Sequence, residues 1–548
     1  MKEFSSHPDP FMERKEYWLL DGEWDFSLSS DGSRIYDKTI SVPFSPETER
    51  SGINRKIGPD DVLWYRKKVD IGRPLGDNER LLLHFDSADH DAQIYIDGVK
   101  ASEHSGGYLP FSLVIGKPEF LIEARCTDPQ DTRPIARGKQ SLKGGGIWYT
   151  AQSGIWKSVW LESVPETYIS SLSITPDCRG FSIKARLSDG KPCKAEVEVD
   201  GRTHRIDTET EQRIEIENPR LWSPEDPYLY GITVRCGRDE VKSYTGLRSI
   251  GIDAVSKRIT LNGKPIFCHG VLDQGYWKES LLTPPSDQAM IDDIGFAKSL
   301  GFNTIRKHIK IEPRRWYYHA DRLGILVWQD MVSGGGRYNA LATKAPLFAG
   351  SFLKDSHYSL FARKDKGERK AWESMMMETI SYLRPHPSII LWTLFNEGWG
   401  QFDSSRMLKK AESADPSRLF DAASGWHDQG DNPFLSKHVY FVPYRFRKDR
   451  KGRPVILSEF GGYGLSLERT ERRAFSYKRL ESEEDLTSAI ENLYRSQIIP
   501  AMRKGLTAAI YTQLSDVEQE ENGLISFDRK RTKIIPERIR ELSHEILD

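Results

Sequence analysis

Two apolar runs in the C-terminal half each end on a glutamate closely followed by glycine, and they restrict the fold more than any other feature. Ile389-Ile390-Leu391-Trp392-Thr393-Leu394 runs into Phe395-Asn396-Glu397-Gly398. Pro454-Val455-Ile456-Leu457-Ser458 runs into Glu459-Phe460-Gly461-Gly462. Apolar runs without polar alternation fit strands covered on both faces, as in an all-parallel sheet. A carboxylate at the C-terminal end of such a strand stands where a (β/α)8 barrel carries its reactive groups.

The surrounding pattern fits that expectation. From about residue 254 strand and helix signals alternate, with candidate strands at 265–272, 303–309, 325–330, 389–396, 419–424, 437–441, 454–459 and 507–514. Helical stretches lie between several of them: Ile291 to Leu300, Pro313 to Leu323, Glu368 to Leu383 and Glu484 to Arg503. Proline opens and glycine closes the second of these, as helix termini favour. Residues 254–548 thus have the size of one barrel, typically about 250 residues. Glu397 then closes the fourth strand and Glu459 the seventh. Long connections at 331–367 and 460–483 fall on the catalytic face. They read as substrate walls or lids, with disorder as the alternative.

The first 253 residues carry a different signal. Short runs such as Leu81-Leu82-Leu83-His84-Phe85 and Ala92-Gln93-Ile94-Tyr95-Ile96 are followed by turns such as Asp97-Gly98. Residues 1–163 therefore read as a β-sandwich or jelly roll, and 164–253 as a smaller immunoglobulin-like sandwich. Asp189-Gly190 and Asp200-Gly201 are expected to be hairpin turns in the latter. The proline-rich stretch Asn218 to Pro227 is expected to be an ordered, extended connection.

Charge and cysteine exclude several classes. With 79 basic and 80 acidic residues the net charge is −1, so a nucleic-acid partner is not expected. The five cysteines, Cys126, Cys178, Cys193, Cys236 and Cys268, form no CxxC pair, so idle thiols are expected rather than a disulfide framework or zinc site. No run of 18 apolar residues and no apolar leader core occurs, so no membrane partner and a cytoplasmic location are expected.

Several further segments carry a resemblance. Trp18-Leu19-Leu20-Asp21-Gly22-Glu23-Trp24-Asp25-Phe26, Gly107-Tyr108-Leu109-Pro110-Phe111, Ser153-Gly154-Ile155-Trp156, Asn218 to Pro224, and Leu261-Asn262-Gly263-Lys264-Pro265 resemble successive parts of glycoside hydrolase family 2. The densest match is His386-Pro387-Ser388-Ile389 through Asn396-Glu397-Gly398. The resemblance covers nearly the whole chain. It implies a jelly-roll sugar-binding-like domain, an immunoglobulin-like sandwich and a TIM barrel, in that order. It also implies retaining hydrolysis, with Glu397 as acid/base and Glu459 as nucleophile.

The resemblance extends to residues around that pair. Asn396 is similar to the family asparagine that binds the sugar 2-hydroxyl. Arg306-Lys307-His308 resembles a segment whose histidine touches the sugar and whose arginine supports the nucleophile. Tyr440 resembles a tyrosine beside the nucleophile, with Tyr444 as the alternative. Asp330 has two readings: a hydroxyl ligand, or a helix cap or partner of Arg306. Tyr511 stands where many relatives have a tryptophan floor; Trp148, Trp399 and Trp426 are candidates to compensate. The Asn-x-Lys element that holds a glucuronide carboxylate in relatives corresponds here to Glu518-Gln519-Glu520-Glu521-Asn522, which would repel an anionic sugar.

These readings lead to a small neutral carbohydrate as substrate and to activity of the β-galactosidase type. β-Mannosidase is the neutral-sugar alternative, β-glucuronidase a less favoured one, and a catalytically silent carbohydrate-binding protein the alternative of another class. No cofactor is expected. Some relatives use Mg²⁺, but Asp355 and His357 alone do not make its site. A homo-oligomer is compatible with the two β domains, and Ser141 to Gly146 is a glycine-rich loop that could reach the barrel mouth.

Overall fold

A computed structural model describes residues 4, 6–346, 352–466 and 475–547. Residues 347–351 and 467–474, within the two long connections, lie outside the described residues.

The first unit is a sandwich of two antiparallel sheets. Six strands stand in the order Lys38–Val42, Gly22–Ser29, Val62–Asp70, Glu119–Thr127, Asp91–Ile96, Val99–Ser105. Four face them: Tyr17–Leu19, Val159–Pro165, Glu79–Phe85, Phe111–Ile115. Alternation places Leu81, Leu83 and Phe85 in the core with Trp24, Phe26 and Leu63. Asp97 and Gly98, both at positive φ, turn the hairpin in which Ile96 pairs with Val99.

The second unit stacks Ile169–Pro176, Gly180–Leu187 and Gln212–Glu215 on a four-stranded sheet of Arg202–Asp207, Lys194–Val199, Tyr230–Cys236 and Asp239–Thr245. Asp200-Gly201 is a hairpin turn, with Val199 opposite Arg202. Asp189-Gly190 is not. The strands flanking it, Gly180–Leu187 and Lys194–Val199, belong to different sheets. The turn signal was real, but it marks a crossover between the layers. Cys193 and Cys236 are free thiols whose sulfurs lie 2.6 Å apart, a proximity their sequence spacing did not reveal.

The third unit is a parallel barrel. Its strands are β1 Cys268–Asp273, β2 Thr304–Lys307, β3 Leu326–Asp330, β4 Ile389–Thr393, β5 Leu419–Asp421, β6 Leu435–Val439, β7 Val455–Gly461 and β8 Leu506–Thr512. Backbone hydrogen bonds run β5-β4-β3-β2-β1-β8-β7-β6. The remaining seam, between β5 and β6, is bridged by side chains: Asn432 Nδ2 and Ser436 Oγ donate to Asp421 at 2.8 and 2.7 Å. A short hairpin, Ile259–Leu261 with Lys264–Pro265, packs Ile259 and Leu261 against Leu326, Ile390, Ile456 and Ile510.

Principal helices are α1 Asp287–Ser299, α2 Arg314–Leu323, α3 Lys366–Leu383, α4 Ser404–Ala414, α5 Glu483–Leu493 and, at the C-terminus, α6 Pro536–Leu547. Asp365 caps α3 by accepting the Glu368 N–H at 2.8 Å. The expected helix from Glu484 to Arg503 is interrupted by a π turn at Tyr494–Ile498. Pro500 has no N–H to return to Ser496, and the backbone widens just before it. Gly324 ends α2 in the left-handed region, where a Cβ would meet the Pro224 carbonyl at 2.6 Å. The second sandwich therefore docks on bare backbone there.

The block around His386 secures the same junction. His386 Nδ1 and the Ser388 N–H bond Asp321 at 2.7 and 2.9 Å, and Arg248 donates to the Pro387 and Ile389 carbonyls. The second sandwich thus sets the register of β4 from below, and β4 leads directly to Glu397.

Candidate active site

The parallel strands deliver Arg306, Asp330, Glu459 and Thr512 at or near their C-terminal ends, with His308, Asn396, Glu397 and Tyr440 on the residues just beyond. Two register shifts aim the key groups. One falls between Lys437 and His438 on β6, the other between Leu457 and Phe460 on β7. Such irregularities re-aim side chains at the rims of barrels. Glu397 itself has φ of 51°, a left-handed conformation that non-glycine residues adopt at a cost and that recurs at functional sites.

Arg306 organises the floor. It is fully buried, and its five N–H donors all have acceptors. Nε and Nη2 bind Asp330 at 3.0 Å each; Nη1 binds Glu459 Oε1 and the Ser458 carbonyl at 3.0 Å each. Nη2 also binds Asn396 Oδ1 at 2.8 Å. That last bond fixes the amide, leaving Asn396 Nδ2 as a buried donor without a partner, available to a ligand hydroxyl. Asp330 Oδ2 also bonds His308 Nδ1 at 2.7 Å. Burial pushes His308 below its usual pKa, so the ring is neutral, and Nδ1–H to Asp330 leaves Nε2 as an acceptor.

The two glutamates sit in opposite environments. Burial alone would raise Glu459, but His438, the Arg306 cation and the Tyr440 hydroxyl outweigh it and hold the carboxyl at about 2. Tyr440 donates to Glu459 Oε2, lies 3.2 Å from Thr512 Oγ1, and stacks on Tyr477 with ring centroids 3.7 Å apart. Tyr444 takes no part: its hydroxyl has no partner and its ring packs against the core. Glu397 is raised, first by burial and further by the negative charge of Glu459. His438 Nδ1 bonds Glu397 Oε1 at 2.8 Å, leaving Oε2 for a proton and a ligand. One oxygen of each glutamate lies within 4.8 Å of the other. This fits the roughly 5–5.5 Å spacing of retaining glycosidases and not the roughly 6.5–9.5 Å of inverting ones.

Opposite shifts predict the pH profile. A reaction that needs Glu459 ionised and Glu397 protonated runs above the depressed pKa and below the raised one. The acid limb of kcat/KM is expected near pH 2, where the fold permits measurement. Activity is expected to fall as pH rises through the Glu397 value, and Glu397→Gln should abolish that alkaline limb. An alkaline limb that survives the substitution would assign it to another group.

Aromatic rings build one wall. Trp399, just after β4, has its centroid 5.3 Å from Trp148 of the first sandwich, and Tyr338 stacks on Trp148 at 5.6 Å. The His308 ring is 6.4 Å from Trp399. Trp426 lies on the other side of Glu397, donating Nε1–H to its carbonyl at 3.0 Å.

Among the described residues, Glu397, His438 and Glu459 are the group whose donor atoms come close enough to surround a metal ion. Those atoms are already engaged: His438 Nδ1 with Glu397, His438 Nε2 with Ser424 Oγ at 2.9 Å, and Glu459 Oε1 with the Arg306 cation. A guanidinium at 3.0 Å competes with a metal for the same carboxylate, so the set does not fit one.

Two family models match the chain: "Glycosyl hydrolases family 2" over residues 168–248 and "Glycosyl hydrolases family 2, TIM barrel domain" over 252–467. The chain belongs to glycoside hydrolase family 2. Curated relatives of this family 2 chain include a β-glucuronidase of Streptococcus agalactiae, 23% identical over 69% of the chain and 66% of the relative. A β-galactosidase of Alteromonas mediterranea is 25% identical over 81% of the chain and 47% of the relative. The chain thus spans about half to two thirds of their length. Among solved structures, a β-galacturonidase of Eisenbergiella tayi bound to galacturonate superposes with a TM-score of 0.74 at 20% identity, covering 98% of both chains. A Bifidobacterium dentium β-glucuronidase does so at 0.76 and 16% identity, covering 99% and 98%. These two likenesses concern the fold.

Three sequence expectations for the family 2 site are corrected. Tyr511 does not floor the pocket. Strand alternation turns it outward, against Gly461, Phe460 and the helix layer, while its neighbour Thr512 faces the site. Asp330 is the partner of Arg306, the second of its two readings, and not a hydroxyl ligand, while Arg306 bonds Glu459, the contact the resemblance implies. The acidic run does not line the sugar site as a bare negative patch. Glu518 accepts the Thr150 N–H, Gln519 the Gly146 N–H and Glu520 the Tyr149 hydroxyl, clasping the first sandwich onto the barrel. His438, Thr512, Tyr477 and Lys139 were not read as site residues. His438 had a signal, its place two residues before Tyr440; the others became visible through packing across domains and loops.

No helix among the described residues is long and apolar enough to cross a membrane.

Proposed function

We propose that the protein is a retaining β-glycosidase acting on terminal β-linked sugars. The observation that carries this is the pair itself: a raised Glu397 and a depressed Glu459 whose oxygens lie within 4.8 Å at the barrel's C-terminal end. Glu397 Oε2 gives its proton to the glycosidic oxygen while Glu459 attacks the anomeric carbon; that C–O bond breaks and a covalent glycosyl-enzyme forms. Glu397, now ionised, takes a proton from water, whose oxygen displaces Glu459. Asn396 Nδ2 is in place to hold the 2-hydroxyl, and His308 Nε2 to accept from another hydroxyl. We assign no metal or cofactor to these steps, and the names of the relatives are divided between neutral sugars and uronic acids.

Two inversions return the β configuration. Proton NMR of the first turnovers of an activated 4-nitrophenyl β-glycoside should show the β-anomer before mutarotation. An α-anomer first product would reject the double displacement, and no turnover of any glycoside in a broad panel would favour a binding protein.

A further inference from the structure

We infer that Lys139 is the specificity-determining cation of this site and that it selects substrates carrying a carboxylate on C5, the β-hexuronides. The inference rests on the glycosidase reading above.

Lys139 belongs to the first sandwich, yet its backbone is built into the barrel mouth. Arg137 and Gly138 donate to the Ser333 carbonyl at 3.1 and 2.9 Å, and Ala136 pairs with Gly334, in the loop just after β3. The Lys139 carbonyl accepts the Tyr149 N–H at 3.0 Å. The position is therefore rigid. The ammonium reaches between two rings, 5.4 Å from the Tyr149 centroid and 5.7 Å from that of Trp399. Its charge acts on both Glu397 and His308.

Among the described residues no hydrogen bond engages its ammonium. The Lys139 side chain is 7% exposed, and its ion-pair partner is Glu520 at 3.8 Å, beyond hydrogen-bond reach. Glu520 is itself occupied, accepting from Tyr149 and Asn522, and lies 2% exposed behind the pocket. The buried cations on β2 and just after it, by contrast, are committed. Arg306 has five acceptors; Lys307 binds Asp273 and Glu312; Lys310 binds two carbonyls and Glu312. Three N–H donors on a nearly buried ammonium call for an anionic acceptor, and a sugar carboxylate is the anion that a glycosidase pocket can receive. Trp399 beside it shields the pair from water and strengthens it.

The test compares kcat/KM for 4-nitrophenyl β-glucuronide and β-galacturonide with the corresponding β-glucoside and β-galactoside. Wild type is expected to prefer a uronide, and the better uronide identifies the C4 configuration. Lys139→Met should lower the uronide-to-neutral ratio by at least about 100-fold, the scale of losing a charge-assisted hydrogen bond in a dry site. Lys139→Arg, which keeps the cation and the contact with Glu520, should retain most of the preference even if the methionine variant folds poorly. Preference of wild type for a neutral glycoside, or equal loss on both substrate classes in Lys139→Met, would overturn the role of Lys139. Failure of every glycoside would instead reject the underlying glycosidase reading.

Discussion

Glu459→Ala is expected to lower kcat/KM by about 10⁵-fold or more on every substrate, roughly 7 kcal/mol of transition-state stabilisation. The carboxylate is the group that bonds the anomeric carbon, so its loss removes the intermediate and not merely a contact. Leaving-group quality cannot compensate, because both activated and unactivated glycosides need the same nucleophile. Arg306 loses one of five acceptors but keeps Asp330, Asn396 and the Ser458 carbonyl, so the cluster should persist. Thermal unfolding measured beside the kinetics separates the two effects. A folded variant retaining more than about 1% of wild-type kcat/KM would remove Glu459 from the nucleophile's role.

Glu397→Ala is expected to divide substrates by leaving group. Glycosides whose departing oxygen needs a proton should lose about 10²–10⁴-fold, the range of general acid catalysis. A 2,4-dinitrophenyl glycoside, which leaves unprotonated, should still form the glycosyl-enzyme, and hydrolysis of that intermediate then limits the rate. Azide fits the space left by the carboxylate and needs no base. It should accelerate turnover and yield the β-glycosyl azide. The product's configuration matters: a β-azide requires two inversions and thus an intact Glu459. An α-azide would mean direct displacement, and no azide product would mean that Glu397 is not the acid/base.

Much of the architecture was legible because it is local. Unbroken apolar runs such as Ile389–Leu394 are buried on both faces, and their length and spacing suffice to count strands. Turn chemistry at Asp97-Gly98 and Asp200-Gly201 specified hairpins through the positive φ those residues accept. The same local signal failed at Asp189-Gly190, because a turn motif says that the chain reverses and not which sheet receives it. The helix after residue 483 failed at Pro500, where a missing N–H changed the winding without ending the helix.

Within the site, the sequence by itself determined the strand-end carboxylates, Asn396, and the segments that carry His308 and Tyr440. Strand-end position pointed to the two carboxylates, and the resemblance to family 2 implied the rest. Tertiary structure alone decided what those residues face. Side chains on a strand alternate, so a one-residue difference put Thr512 in the pocket and Tyr511 behind it. Arg306 supports Glu459 as the resemblance implies, but its other acceptors, Asp330 on β3, Asn396 beyond β4 and the Ser458 carbonyl on β7, are gathered only by closure of the barrel. Glu518–Glu521 read as a negative surface until the loop from Lys139 to Thr150 docked on it and engaged Glu518, Gln519 and Glu520. Lys139, whose charge acts on Glu397, comes from a different domain than the glutamates, a pairing of residues hundreds of positions apart. Charge in a chain is a sum, whereas charge at a site depends on which partners folding brings within hydrogen-bond reach.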